Sequence, residues 1–229
     1  MSDPKRVLLV GATGLIGTHV MQQCTGRADV RLVALTRREA PMPRGARMEM
    51  LVADPGEWAQ AVAAIAPDAV ICALGTTWRK AGRDEAAFRA VDRELVLRVA
   101  EAAKAAGAST FVFVSSVGAN PASRSFYLRV KAETEAALRK LRFPRLDIFR
   151  PGLLRGHRSS DRRLGERLAI LFAPLANLFL HGERRRFRAI DARVVARAAI
   201  SATKEKARGA FVHDNDGIAR LARRLDGAA

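Results

Sequence analysis

The sequence predicts an α/β fold, a doubly wound parallel sheet with helices on both faces and a small helical, substrate-facing C-terminal region. Three observations predict it. Short apolar runs alternate with longer amphipathic segments through the first 150 residues, the rhythm of successive βαβ units. A glycine-rich turn joins the first apolar run to the first amphipathic segment. The 229 residues, 49% hydrophobic, suffice for one sizeable core and need no partition. Residues 1–229 are therefore expected to form a single domain, with 1–154 as its ligand-binding core and 155–229 as the substrate-facing part.

The elements follow in order. Residues 5–10 (Lys-Arg-Val-Leu-Leu-Val) read as a buried strand that stops at Gly11, and 15–24 as a helix. Strands are expected at 30–35 and 48–52, a helix at 57–65, and a fourth strand at 69–74. Residues 84–106 form a long amphipathic helix, ended by Gly107 as a C-terminal glycine ends one. The run 110–115 (Thr-Phe-Val-Phe-Val-Ser) is near-continuously apolar, as a strand covered on both faces is. A helix at 126–141 and a sixth strand at 145–149 complete the alternation. Beyond Pro151 the rhythm weakens: helix is expected over 158–180 around Pro174, a further strand over 186–190, and helices over 192–203 and 217–225.

The turn Gly11-Ala-Thr-Gly14-Leu-Ile-Gly17 has the context that dinucleotide binding requires, a strand before it and a helix after it. The first glycine permits the tight turn, Gly14 lets backbone approach a pyrophosphate, and Gly17 lets helix and strand pack closely. The helix N-terminus adds free N–H groups and the positive end of its dipole. This is the Rossmann pattern. It makes Gly11, Thr13, Gly14, Leu15, Ile16 and Gly17 the expected phosphate-side contacts.

The end of the second strand selects the cofactor. NAD sites usually place a carboxylate there for the ribose 2′-OH. This chain places Thr36-Arg37-Arg38 there, with Glu39 beyond them. Two guanidinium groups suit a 2′-phosphate, so NADPH is expected in preference to NADH. Asp54, just past the third strand, is a candidate for the adenine amino group.

A catalytic set follows. Ser115-Ser116 ends the fifth strand, and Tyr127-Leu-Arg-Val-Lys131 lies in the next helix. Tyr and Lys at i and i+4 share a helix face, where a cation stabilises a phenolate. Such a tyrosine can pass a proton to a carbonyl oxygen while a nicotinamide passes hydride to its carbon. A serine hydroxyl at the strand end can hold the same oxygen. Tyr127 is the only tyrosine in the chain.

With the glycine turn, Leu74-Gly75 at the end of the fourth strand, Ser116, Tyr127 and Lys131, the chain resembles the short-chain dehydrogenase/reductase superfamily in its atypical or extended branch. Ala73-Leu-Gly-Thr-Thr-Trp-Arg-Lys-Ala-Gly82, Val91-Asp-Arg, Ser115-Ser-Val-Gly-Ala119, Tyr127-Leu-Arg-Val-Lys131 and Phe149-Arg-Pro-Gly152 are similar, in order, to the NAD(P)H-binding subgroup of TIP30 (CC3) and its bacterial relatives. The resemblance is specific from the first strand to about Leu154. It implies an NADPH-binding Rossmann fold with Ser116, Tyr127 and Lys131 at active-site positions. The loop from Ser116 to Tyr127 is somewhat short for the superfamily, which keeps Ser115 as the alternative serine. By the same resemblance Leu74, Gly75 and Pro151 line the cofactor site, with Arg150-Pro151-Gly152 beside the nicotinamide.

The leading function expected is an NADP-dependent oxidoreductase acting on a small carbonyl or alcohol. The alternative is an NADPH-sensing binding protein without turnover. A third class, a binder of nucleic acid or anionic membrane, is raised by the formal net charge of +17. The basic residues are spread along the chain and aromatics are 6%, with no stacking stripe, so a solvated basic surface is the better reading and nucleic acid is not expected as a partner. The apolar run 168–180 is shorter than the roughly 20 residues of a membrane span, and reads as a buried helix or a homodimer interface. Cys24 and Cys72 have neither metal-ligand nor disulfide spacing. A polar N-terminus running straight into a strand gives the expectation of a cytoplasmic protein.

Overall fold

The computed structural model describes residues 3–76, 81–156 and 188–225. The helix expected at 158–180, with its apolar run 168–180, and residues 77–80 of the Ala73–Gly82 motif lie outside the described residues.

The centre is a seven-stranded sheet in the order β3-β2-β1-β4-β5-β6-β9, every neighbouring pair parallel. The strands are β1 (Lys5–Val10), β2 (Val30–Thr36), β3 (Glu49–Val52), β4 (Ala69–Cys72), β5 (Thr110–Val114), β6 (Arg145–Phe149) and β9 (Gly209–His213). Their pleat divides the core. Val7, Leu9, Leu32, Ile71 and Val112 face one layer, which α1 (Leu15–Cys24), α6 (Ala192–Ala202) and α7 (Asn215–Arg224) cover. Leu8, Val10, Val70, Phe111 and Phe113 face the other, under α2 (Trp58–Ile65), α4 (Val96–Ala105) and α5 (Phe126–Lys140). Continuous apolar strands are what such two-sided burial requires. This is a Rossmann-like α/β fold.

Three departures from the sequence reading have physical causes. The helix expected over 84–106 is composite: α3 (Glu85–Arg89) passes into a π turn, Ala90–Leu95, before α4. The Thr134 hydroxyl on α5 lies 3.1 Å from the Asp92 carbonyl and 2.8 Å from that of Val130, so a side chain serves the widened turn. Of the strand expected over 186–190, residues 186 and 187 lie outside the described residues, and the described part forms the start of the two-residue β8 (Ile190–Asp191), paired in parallel with β7 (Leu154–Arg155). The edge strand β9 carries no strand signal in the sequence; it is short and largely exposed, and among the described residues it pairs only with β6.

Parallel pairing brings the ends of β1, β2, β4 and β5 to one edge of the sheet, and the order reverses between β1 and β4. Ligands of open α/β sheets bind at such a switch point.

Candidate functional site

At that edge lies a cavity of about 800 Å³, walled by Gly11 to Gly14, Leu35 to Arg38, Trp58, Ala73 to Thr76, and Ala81, Gly82, Ala87, Val91 and Leu95. The glycine turn forms its floor. Gly11 has φ +88°, a conformation that L side chains rarely adopt, and a Cβ there would lie 2.5 Å from the Ala73 carbonyl oxygen. Gly14 caps α1 without any side-chain hydrogen bond to the helix N-terminus. The first-turn N–H groups of α1 are thus left for a ligand, the condition for anion binding there. Gly17 packs on Gly11, and Ile16 is buried in the core. Thr13 is exposed beside the floor, and Leu15 lies against Gly156.

The far wall is the end of β2. Arg37 and Arg38 are exposed and line the cavity, and among the described residues neither side chain has an ion pair. Thr36 is buried with its Oγ1 lacking a protein partner. An orphaned hydroxyl, two free guanidinium groups, glycines without room for side chains and an uncapped helix start together fit an anionic nucleotide. Asp54 does not line this cavity: its Oδ1 accepts from the Gly56 N–H at 2.8 Å in the turn before α2. Trp58, which the sequence reading passed over, does line it, anchored by its indole N–H to the Ala53 carbonyl at 3.1 Å.

Ser115, Ser116, Tyr127, Lys131 and Pro151 do not line this cavity; Gly75, which does, borders the β5–α5 region that holds them. Lys131 is 3% exposed, and its Nζ lies 6.0 Å from the Tyr127 ring centroid and 5.1 Å from that of Phe113. Tyr127 is half-buried, its ring edge-to-face with Phe88. The Lys131 Nζ also contacts Asp92 Oδ1 at 2.9 Å. Burial pulls the Lys131 ammonium down, but the Asp92 carboxylate, then Tyr127, more than offset it, and its pKa lies above the usual lysine value. Asp92 belongs to the Val91-Asp-Arg motif, yet nothing in the sequence marked it as a partner of Lys131.

The two serines differ. Ser115 is buried and donates to Glu135 Oε1 at 2.5 Å, and Arg150 clasps the same carboxylate through Nε at 3.0 Å and Nη2 at 2.5 Å. Ser116 is less buried, and among the described residues its Oγ has only a 3.3 Å contact to the Val117 carbonyl. Pro151 is buried, and its carbonyl accepts from the Val117 N–H at 3.0 Å, which ties the β6 exit to the serine loop.

Comparison with known proteins agrees with this geometry. A family model described as NAD(P)H-binding matches residues 11–168. Protein fmp52, mitochondrial, of Aspergillus niger is 34% identical over 203 residues, 86% of each chain. Protein HTATIP2 of Rattus norvegicus is 38% identical over 174 residues, 73% of this chain and 70% of its own. Among solved structures, MoeE5 in complex with UDP-glucuronic acid and NAD matches with a TM-score of 0.68 at 17% identity, over 97% of this chain and 82% of that one, which shows a shared fold. The names of the fungal relatives overturn the expectation of a cytoplasmic protein: they are mitochondrial. The chain belongs to the NAD(P)H-binding family that includes FMP52 and HTATIP2.

Proposed function

We propose that this protein is an NADP-dependent oxidoreductase that interconverts a small carbonyl compound and its alcohol. The observation that carries the reading is a buried Lys131 ammonium 6.0 Å from the Tyr127 ring, one face of α5 behind a nucleotide-sized cavity. Arg37 and Arg38 bind the 2′-phosphate, and the backbone of Gly11 to Gly17 takes the pyrophosphate. NADPH bound there supplies the hydride. Tyr127 gives its phenolic proton to the substrate oxygen in reduction, and Lys131 stabilises the phenolate left behind and holds the ribose. Ser116 donates its hydroxyl to that same oxygen. Ser115, committed to Glu135, does not compete for the role.

The test is Tyr127→Phe, with a panel of aldehydes and ketones followed by NADPH absorbance. The variant should bind NADPH as the wild type does and lose about 10²–10⁴-fold in turnover. Wild-type protein that binds NADPH tightly and reduces nothing across the panel would favour a sensor of the cofactor instead.

A further inference from the structure

Asp92 of the Val91-Asp-Arg motif has no part in the proposed chemistry, and it is fully buried. Its two oxygens have separate tasks. Oδ2 accepts from the Thr76 N–H at 2.7 Å and so pins the segment that follows β4, where Leu74, Gly75 and Thr76 line the cavity. Oδ1 faces Lys131 Nζ at 2.9 Å as an ion pair without hydrogen-bond alignment. The π turn carries Asp92, and the Thr134 hydroxyl beside its carbonyl holds that turn against α5. A Cβ at Gly75 would sit 3.5 Å from Asp92 Oδ1 and 3.7 Å from Lys131 Nζ. The missing side chain at Gly75 therefore leaves the ion pair behind a thin stretch of cavity wall.

We infer that Asp92 is a positioning residue, which keeps Lys131 charged and aimed at the cofactor while fastening the cavity wall at Thr76. This rests on the proposed role of Lys131 toward the ribose. A lysine ammonium has three donors. Asp92 Oδ1 pairs with Nζ at 2.9 Å as a charge, the Val114 carbonyl lies 3.5 Å from Nζ, and donor capacity remains for the cavity side. The titratable groups facing Lys131 are Asp92 from the π turn, Tyr127 from its own helix and Cys72 from β4; the Phe113 ring of β5 completes the surroundings. Asp92 is the strongest upward influence, and burial, the largest influence of all, acts downward. Without the Asp92 charge, burial prevails and Lys131 releases its proton within an accessible range.

Asp92→Asn tests this, because an amide oxygen can still accept from Thr76 while the negative charge is gone. Two readouts should move in opposite directions as pH rises from about 7 to about 10. NADPH affinity of the variant should fall by about tenfold or more as Lys131 loses its proton, while the wild type stays level. Thermal stability of the cofactor-free variant should rise over the same range. The unfolded chain still binds the proton that the folded one has released, and stability rises with pH wherever that holds. A merely structural role would lower both together. Asp92→Asn with Lys131→Met removes both buried charges and should show neither trend. Affinity and stability of Asp92→Asn that parallel the wild type at every pH, or that fall together, would overturn the inference. The stability measurement needs no cofactor. A wild-type protein that fails to bind NADPH would sink the proposed function and leave the ion-pair result readable.

Discussion

A Cβ placed on Gly17 would lie 2.2 Å from the carbonyl oxygen of Gly11. Its other neighbours, Ala12 Cα at 2.7 Å and the Gly11 carbonyl carbon at 2.8 Å, are also backbone, so no side chain can swing aside. Gly17 is the point where α1 leans directly on the turn that it follows. Helix propensity alone favours alanine over glycine there by about 1 kcal/mol. Overpacking against rigid backbone costs about 1–3 kcal/mol or more, and decides the sign. Gly17→Ala should lose at least about 1 kcal/mol in urea denaturation. Gly14→Val is the contrasting variant. Gly14 has φ −79°, which any residue adopts, and its Cβ would meet Gly11 O at 3.2 Å, a tight contact that a small shift relieves. It should remain folded by circular dichroism and lose NADPH binding in a calorimetric titration, because the side chain enters the phosphate space.

The two serines should separate in the same way. Ser115→Ala removes a buried donor from Glu135 and leaves Arg150 as its remaining partner, so it should cost about 1–3 kcal/mol of stability. Ser116→Ala breaks no such bond and should melt like the wild type, with its loss confined to turnover of whichever carbonyl substrate is found. A Ser116→Ala protein that turns over at full rate, alongside a Ser115→Ala protein that is stable but inactive, would reverse the two roles.

Much of this was legible in the residues. The glycine turn, the apolar run 5–10 and the helix at 15–24 stand where the pattern puts them, because strand, turn and helix there each have a local cause. Phe111 to Val114 reads as a strand because burial on both faces leaves no polar alternation to mislead. The edge strand β9 was not legible. Gly209-Ala-Phe-Val-His213 is short and mostly exposed, and pairing with β6, not any local preference, makes it a strand. Asp92 escaped notice for a related reason. One carboxylate in an amphipathic helix looks like any solvated charge, and only the π turn carries it into the core beside Lys131. Trp58 carries no local signal, because the cavity it lines is assembled from several separate stretches of chain. Tyr127 and Lys131 lie close together on α5 as their spacing predicts, because helical spacing is a local property.

The most direct test of the account is the affinity for NADPH against NADH, measured for the wild type and for the Arg37→Ala, Arg38→Ala double variant. Both guanidinium groups stand exposed on the cavity wall at the end of β2 with no ion pair among the described residues. A charge-assisted bond to phosphate is worth about 1.5–3 kcal/mol, roughly tenfold or more in affinity. The wild type should bind NADPH at least about tenfold more tightly than NADH, and the double variant should lose that preference while holding NADH within about twofold of its original affinity. Equal losses for both cofactors, or a wild type that binds NADH as tightly as NADPH, would contradict it.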